Sequence, residues 1–214
     1  MKILVTGANG QLGSELKELS KDNETIKQFD NSFTFIDIDD LDLTNREAVV
    51  NYLKNNSFDW IINCAAYTAV DKAESEPELA MLVNKTAVEN IVEGAKIHQS
   101  KIIHISTDFV FDGKKNTPYT EEDEPNPINV YGKTKLEGEN VLINNYDKFF
   151  IIRTSWLYSS YGNNFVKTIL RLAKERDEIK VVNDQIGTPD HAIDNLSEKK
   201  IYSSIEGIVP FEEL

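Results

Sequence analysis

Thr6-Gly7-Ala8-Asn9-Gly10-Gln11-Leu12-Gly13, directly after the apolar run Ile3-Leu4-Val5, sets glycines in a G-x-x-G-x-x-G spacing between a β-forming stretch and a helical pattern. Glycines placed this way let the chain turn tightly after a strand, bring its backbone close to a pyrophosphate and pack the next helix on that strand. The N-terminus of such a helix offers N–H donors and a partial positive charge. Gly7, Gly10 and Gly13 are therefore candidate dinucleotide-binding residues. Roughly twenty residues on, after a second β run, comes Asp37-Ile38-Asp39-Asp40-Leu41-Asp42, the place where a carboxylate meets an adenosine ribose. Several carboxylates compete for that role, Asp37 among them. The segment holds no Lys or Arg, which favours NAD(H), although Arg46 is near.

The same alternation continues along the chain. Lys2 to Val5, Phe33 to Ile36, Trp60 to Cys64, Lys101 to Ile105 and Phe149 to Ile152 read as strands, and Ile179 to Val182 as one more. Between them Gln11 to Ser20, Asn45 to Lys54 with Thr44 as N-cap, Pro77 to His98, Val130 to Ile143 and Phe165 to Lys174 carry helical patterns. Strand and helix in alternation predict an α/β fold, a Rossmann-like doubly wound parallel sheet with helices on both faces. Residues 1–155 are expected to form the NAD(P)-binding domain, and residues 156–214 the remnant of a small C-terminal substrate lobe. The stretch from Asp112 to Asn129, with three prolines and Glu121-Glu122-Asp123-Glu124, reads as a solvated surface loop, with a pocket rim as the alternative.

Composition narrows the partners. Twenty-three Lys and Arg against 36 Asp and Glu give a net charge of −13, which repels nucleic acid and anionic membrane surfaces. An anionic ligand must then be held by local contacts. No stretch resembles a signal peptide or a membrane span, so a cytoplasmic protein is expected. The single cysteine, Cys64, reads as a core residue, as does His104, and the scattered histidines His98, His104 and His191 predict no metal site.

Tyr131-Gly132-Lys133-Thr134-Lys135 contains Y-x-x-x-K, which on a helix sets Tyr131 and Lys135 on one face. Eight tyrosines make about one such match expected by chance, so the context carries the argument. The motif opens a helix, and the fourth strand ends upstream in Ser106-Thr107-Asp108, where strand ends line a ligand crevice. The types suit carbonyl reduction: Tyr131 as general acid, its phenolate favoured by the Lys135 ammonium, and the Thr107 hydroxyl holding a substrate carbonyl.

These segments resemble the extended short-chain dehydrogenase/reductase superfamily, and within it the dTDP-4-dehydrorhamnose reductases. The likeness rests on TGANGQLG, Asn63 to Glu74 (NCAAYTAVDKAE), Ser106 to Gly113 (STDFVFDG), PYTEED, Asn129 to Glu139 (NVYGKTKLEGE), Arg153 to Tyr158 (RTSWLY), NNFV and Val181 to Pro189 (VVNDQIGTP), in that order. The resemblance implies NADPH- or NADH-dependent reduction of the 4-keto group of dTDP-4-dehydro-L-rhamnose, in dTDP-rhamnose and polysaccharide biosynthesis. It implies Thr107, Tyr131 and Lys135 as the catalytic set and Gly7, Gly10, Gln11 and Leu12 at the pyrophosphate. It also implies Asp42 and Leu43 on the adenine side, Ala65, Ala66 and Tyr67 along the cofactor, Trp156 beside the sugar, and a homodimer as a possible assembly. Phe109, where sugar-nucleotide dehydratases carry Glu, disfavours dehydration. Relatives continue beyond the region matched, so a C-terminally shortened lobe is expected. The alternative is a dinucleotide-binding regulatory or scaffold protein without turnover, or an inactive shortened reductase.

Overall fold

The computed structural model describes residues 1–22, 31–181, 187 and 189–192. Its strands are β1 (Lys2–Thr6), β2 (Ser32–Ile36), β3 (Trp60–Asn63), β4 (Lys101–Thr107) and β5 (Phe149–Thr154). They form one parallel sheet in the order β2-β1-β3-β4-β5. The order reverses between β1 and β3, which opens a crevice at the carboxyl ends of those strands.

The strands are apolar on both sides because both sides are covered. Leu4, Ile61 and Ile102 pack under α2 (Arg46–Asn55), α5 (Ala87–His98) and α6 (Val130–Asn145), with Val49, Leu53, Ile91, Val92 and Leu142. Ile3, Val5 and Trp60 turn to the opposite face, where Leu16 of α1 (Gln11–Asp22) meets them. This is the doubly wound architecture the alternation predicts. Period-2 side-chain direction divides each strand between two cores, so a continuous apolar run serves as well as an alternating one.

Three local expectations are corrected. The N-cap of α2 is Asn45, whose Oδ1 accepts the Ala48 N–H at 3.1 Å; Thr44 instead donates its hydroxyl and backbone N–H to Asp42 Oδ1. The expected helix from Pro77 to His98 is divided into α4 (Pro77–Met81), a π-helical turn (Leu82–Thr86) and α5, preceded by the short α3 (Val70–Ala73). The widened turn carries Asn84, buried and bonded on both ends of its amide, a requirement that apolar periodicity does not reveal. Ile179 to Val181 form no strand, and Val182 lies outside the described residues. The last described helix, α7 (Phe165–Glu175), is capped by Asn164 and has no buried residue among the described ones. No helix among the described residues is long and apolar enough to cross a membrane.

Candidate functional site

The glycine loop sits where β1 ends and closes on its neighbours through backbone contacts. Gly7 has φ +65, and a Cβ there would lie 2.7 Å from the Ala65 nitrogen, so only glycine allows the loop to lie against the end of β3. At Gly13 a Cβ would run into the Gly7 carbonyl and come within 2.7 Å of Ala8 Cα, so its absence lets α1 start beside the strand. The Ala8 N–H bonds the Ile36 carbonyl and the Gly10 N–H the Gly7 carbonyl, both at 3.1 Å. The first turn of α1, from Gln11 to Gly13, holds N–H groups without intrahelical acceptors. The Leu12 side chain is core, so its contribution to a ligand is its N–H. The Gln11 side chain already bridges forward: Oε1 accepts from Asn164 Nδ2 at 2.9 Å.

The acidic candidates separate. Asp37 follows β2 directly, and its Oδ2 accepts the Asn9 N–H at 2.8 Å, which brings its carboxylate to the glycine loop. Asp42 Oδ1 is engaged by Thr44, and the Leu43 carbonyl accepts from Asn90 Nδ2, so both serve the packing of the loop before α2. Beyond β3, the Ala65 N–H approaches Asn63 Oδ1 at 3.3 Å, Ala66 follows in the open chain, and the Tyr67 N–H donates to Asn84 Oδ1. The Tyr67 hydroxyl donates to Glu76 at 2.8 Å.

Thr107 ends β4, and Tyr131 and Lys135 lie on successive turns of α6, whose first turn Asn129 caps through the Gly132 N–H. All three are buried. The Tyr131 phenol lies near the Thr107 side chain, and the Tyr131 ring meets Phe109 edge-on with centroids 5.5 Å apart. Lys135 Nζ donates to the Ile105 carbonyl at 2.7 Å. Burial pulls Lys135 down to about 8, against the opposing pull of Glu139 and Cys64. The expected lowering of Tyr131 is corrected: burial raises its phenol, the nearby Thr107 side chain works the other way, and Asp108 adds to the rise. The ammonium is spent on a backbone carbonyl while the phenol is shielded from water.

Periodicity missed the supporting residues. Glu139, one turn beyond Lys135, is fully buried, accepts the Ser106 hydroxyl and forms a bidentate pair with Arg153 at 3.0 and 2.6 Å. Arg153 in turn lies over Phe111, which stacks on Tyr119 with centroids 4.2 Å apart. Tyr119 and Asn126 both donate to Asp112, and Thr120 and Lys115 to Asp123, so the proline-bearing loop is braced onto β5 and α6. Asn84 ties the Tyr67 backbone to Thr134 on α6. The Y-x-x-x-K spacing extended by four residues would have found Glu139; nothing in the pattern marks Asn84. Cys64 is half-buried, with its thiol pushed up to about 12 by burial, and His104 is core, its imidazole lowered by burial.

Trp156 adopts φ +46, stands partly exposed and tilts against Phe165 at 5.9 Å, rather than filling a core. It lies two residues past β5, the strand beside Thr107. A depression lined by Met1, Lys2, Ser32, Asp59 and His98 lies at the opposite, N-terminal ends of the strands, away from these groups.

Residues 1–199 match the family model described as RmlD substrate binding domain. The dTDP-4-dehydrorhamnose reductase of Aggregatibacter actinomycetemcomitans is 47% identical over 193 residues, covering 90% of this chain and 64% of that protein. The crystal structure of a dTDP-4-dehydrorhamnose reductase from Clostridium acetobutylicum superposes with a TM-score of 0.86 at 47% identity, covering 91% of this chain and 67% of that one. The reductase of Bacillus anthracis, solved in complex with NADP, gives 0.83 at 43% identity with the same two coverages. The chain therefore spans somewhat less than two thirds of the length of the curated relative it matches.

Proposed function

The chain belongs to the dTDP-4-dehydrorhamnose reductase family, and from that premise we propose that it reduces the 4-keto group of dTDP-4-dehydro-L-rhamnose to dTDP-L-rhamnose with NADPH or NADH. The observation that carries this reading is the placement of buried Tyr131, at the start of α6, beside buried Thr107 at the carboxyl end of β4, with Lys135 one turn behind. Residues 1–155 supply the dinucleotide half in this reading, and 156–214 contribute to the sugar side.

The residues present suit a dinucleotide. Gly7 and Gly13 let the loop close on the Ala65 and Ala8 backbone where a Cβ would collide, the first N–H groups of α1 suit a phosphate, and Asp37 accepts the loop's Asn9 N–H near the position a ribose would take. Gly10, Gln11, Leu12, Ala65, Ala66 and Tyr67 border that cradle in this reading, with Asp42 and Leu43 further out. When bound, the reduced nicotinamide supplies a hydride. Tyr131 gives its hydroxyl proton to the carbonyl oxygen, and burial, which keeps the phenol protonated, suits it to act as an acid. The Thr107 hydroxyl holds the same oxygen in place. Lys135, anchored on Ile105, orients the ribose and offsets charge as the phenolate forms. Trp156, exposed beside β5, presents an apolar face to the sugar. A homodimer is compatible with this scheme.

The test is the loss of NADPH and NADH absorbance on mixing with dTDP-4-dehydro-L-rhamnose. Oxidation with formation of dTDP-L-rhamnose supports the reading. Tight cofactor binding without oxidation overturns it in favour of a dinucleotide-binding regulatory protein.

A further inference from the structure

Lys135 is not the only charged side chain buried on α6. Glu139, one turn on, is fully buried as well, and helical side chains four residues apart share one face. The two reach successive residues of β4: Lys135 Nζ donates to the Ile105 carbonyl at 2.7 Å, and the Ser106 hydroxyl donates to Glu139 Oε1. From β5, Arg153 holds the same carboxylate, Nε to Oε1 at 3.0 Å and a terminal nitrogen to Oε2 at 2.6 Å. Three hydrogen bonds therefore fix its orientation. A carboxylate tied in this way attracts a neighbouring cation without being free to swing onto it.

From this geometry, and resting on the reductase reading above, we propose that Glu139 is a positioning residue: its carboxylate, restrained by Ser106 and Arg153, keeps the buried Lys135 side chain charged without capturing it, so that the ammonium stays available to the cofactor ribose. An ammonium has three N–H donors, and the Ile105 carbonyl takes one of them. A direct ion pair with Glu139 would take another and draw the side chain back along the helix. Restraint of the carboxylate separates charge stabilisation from hydrogen bonding.

The neighbouring charges single out Glu139. Burial pulls Lys135 down, and the first influence opposing it is Glu139, ahead of Cys64. His104 of β4 is buried and lowered well below its usual range by burial and by the Lys135 charge, so it stays neutral and offers no countercharge. The other charges near α6 engage other residues. Glu74 accepts the Val130 N–H at 2.8 Å, Asp108 acts on Tyr131, and Lys85 of the π-helical turn pairs with Glu137 at 3.7 Å, both partly exposed.

The experiment follows Lys135 directly, in the full chain isotope-labelled at lysine Cε, with its NMR signal identified by its loss in Lys135→Met. Glu139→Gln and Arg153→Gln break the same ion pair, so a purely structural role predicts like effects from both. The proposal predicts unlike ones. Glu139→Gln should weaken proton binding by Lys135 about tenfold or more. Arg153→Gln, which frees the carboxylate to reach the ammonium, should strengthen it or leave it unchanged. Weakening in both variants, or none in Glu139→Gln, overturns the proposal. Glu139→Gln combined with Arg153→Met leaves no unpaired guanidinium and covers the case in which the single variant does not fold. It should weaken proton binding too, and an unchanged titration overturns the proposal. In activity, the alkaline fall of kcat for oxidation of NADPH by dTDP-4-dehydro-L-rhamnose should move to lower pH in Glu139→Gln and not in Arg153→Gln; an unmoved fall in Glu139→Gln overturns the positioning role. Absence of any oxidation by the unaltered protein overturns the reductase reading, and the Lys135 titration, which needs no turnover, tells that failure from failure of the countercharge.

Discussion

Lys135 is the residue whose environment most constrains the chemistry. Its value of about 8 lies below that of an exposed lysine, so in the window from about 8 to 10.5 the unfolded chain holds a proton that the folded one has lost. Stability rises with pH wherever the unfolded state binds more protons, so the cost of burying this ammonium is fully present below about 8 and relieved above it. Urea unfolding of the wild type and Lys135→Met at pH 7 and pH 9.5 should show the difference moving towards the wild type by about 1–3 kcal/mol. A pH-independent difference would contradict a buried ammonium. Glu139 makes a second test. Glu139→Gln strips Arg153 of its buried partner and should lower stability by about 2–4 kcal/mol in thermal unfolding, with no change expected if the pair were solvated. At this scale the sequence disclosed residue types and spacing but not direction: Tyr131, Lys135 and Thr107 were legible, whereas the rise of the Tyr131 phenol depends on burial against Phe109 and on Asp108, which spacing does not encode.

The elements were legible wherever periodicity and strand composition agree. All five strands and the α1, α2, α6 and α7 helices lie where apolar patterning places them, because two covered faces demand those patterns. The pattern failed where a polar side chain governs the backbone. Asn84 bonds Tyr67 and Thr134 from inside a widened helical turn, and Asn45 displaces Thr44 as the cap. Asn84→Ala would leave the Tyr67 N–H without its acceptor and should cost about 1–3 kcal/mol in chemical denaturation. It should also weaken NADPH binding, since the Tyr67 segment borders the proposed cradle. Gly13→Ala is a sharper element-scale test. Its methyl meets the Gly7 carbonyl and Ala8 backbone, which cannot rotate away, so a loss of about 1–3 kcal/mol and of cofactor affinity is expected. Wild-type thermal stability for this variant would mean that α1 does not start against the strand as described.

For the whole molecule, a charge of −13 and a ligand carrying phosphates oppose each other at long range, so binding has to come from the cradle. Adding salt should therefore leave NADPH affinity level or improve it, whereas a steep loss with salt would mean that a local cationic surface, and not the cradle, holds the phosphates. The architecture and the crevice at the sheet's switch point followed from the order of strand and helix together with the glycine loop. The sugar side did not: α7 carries a helical pattern yet has no buried residue among the described ones. In the proposed scheme the chemistry centres on Tyr131 of α6, buried beside Thr107 at the end of β4. The measurement that tests it most directly is the kcat of Tyr131→Phe against wild type for oxidation of NADPH by dTDP-4-dehydro-L-rhamnose. Only the hydroxyl group is removed, and a fall of about 10²- to 10⁴-fold with near-normal cofactor affinity is predicted. An unchanged kcat would contradict the account.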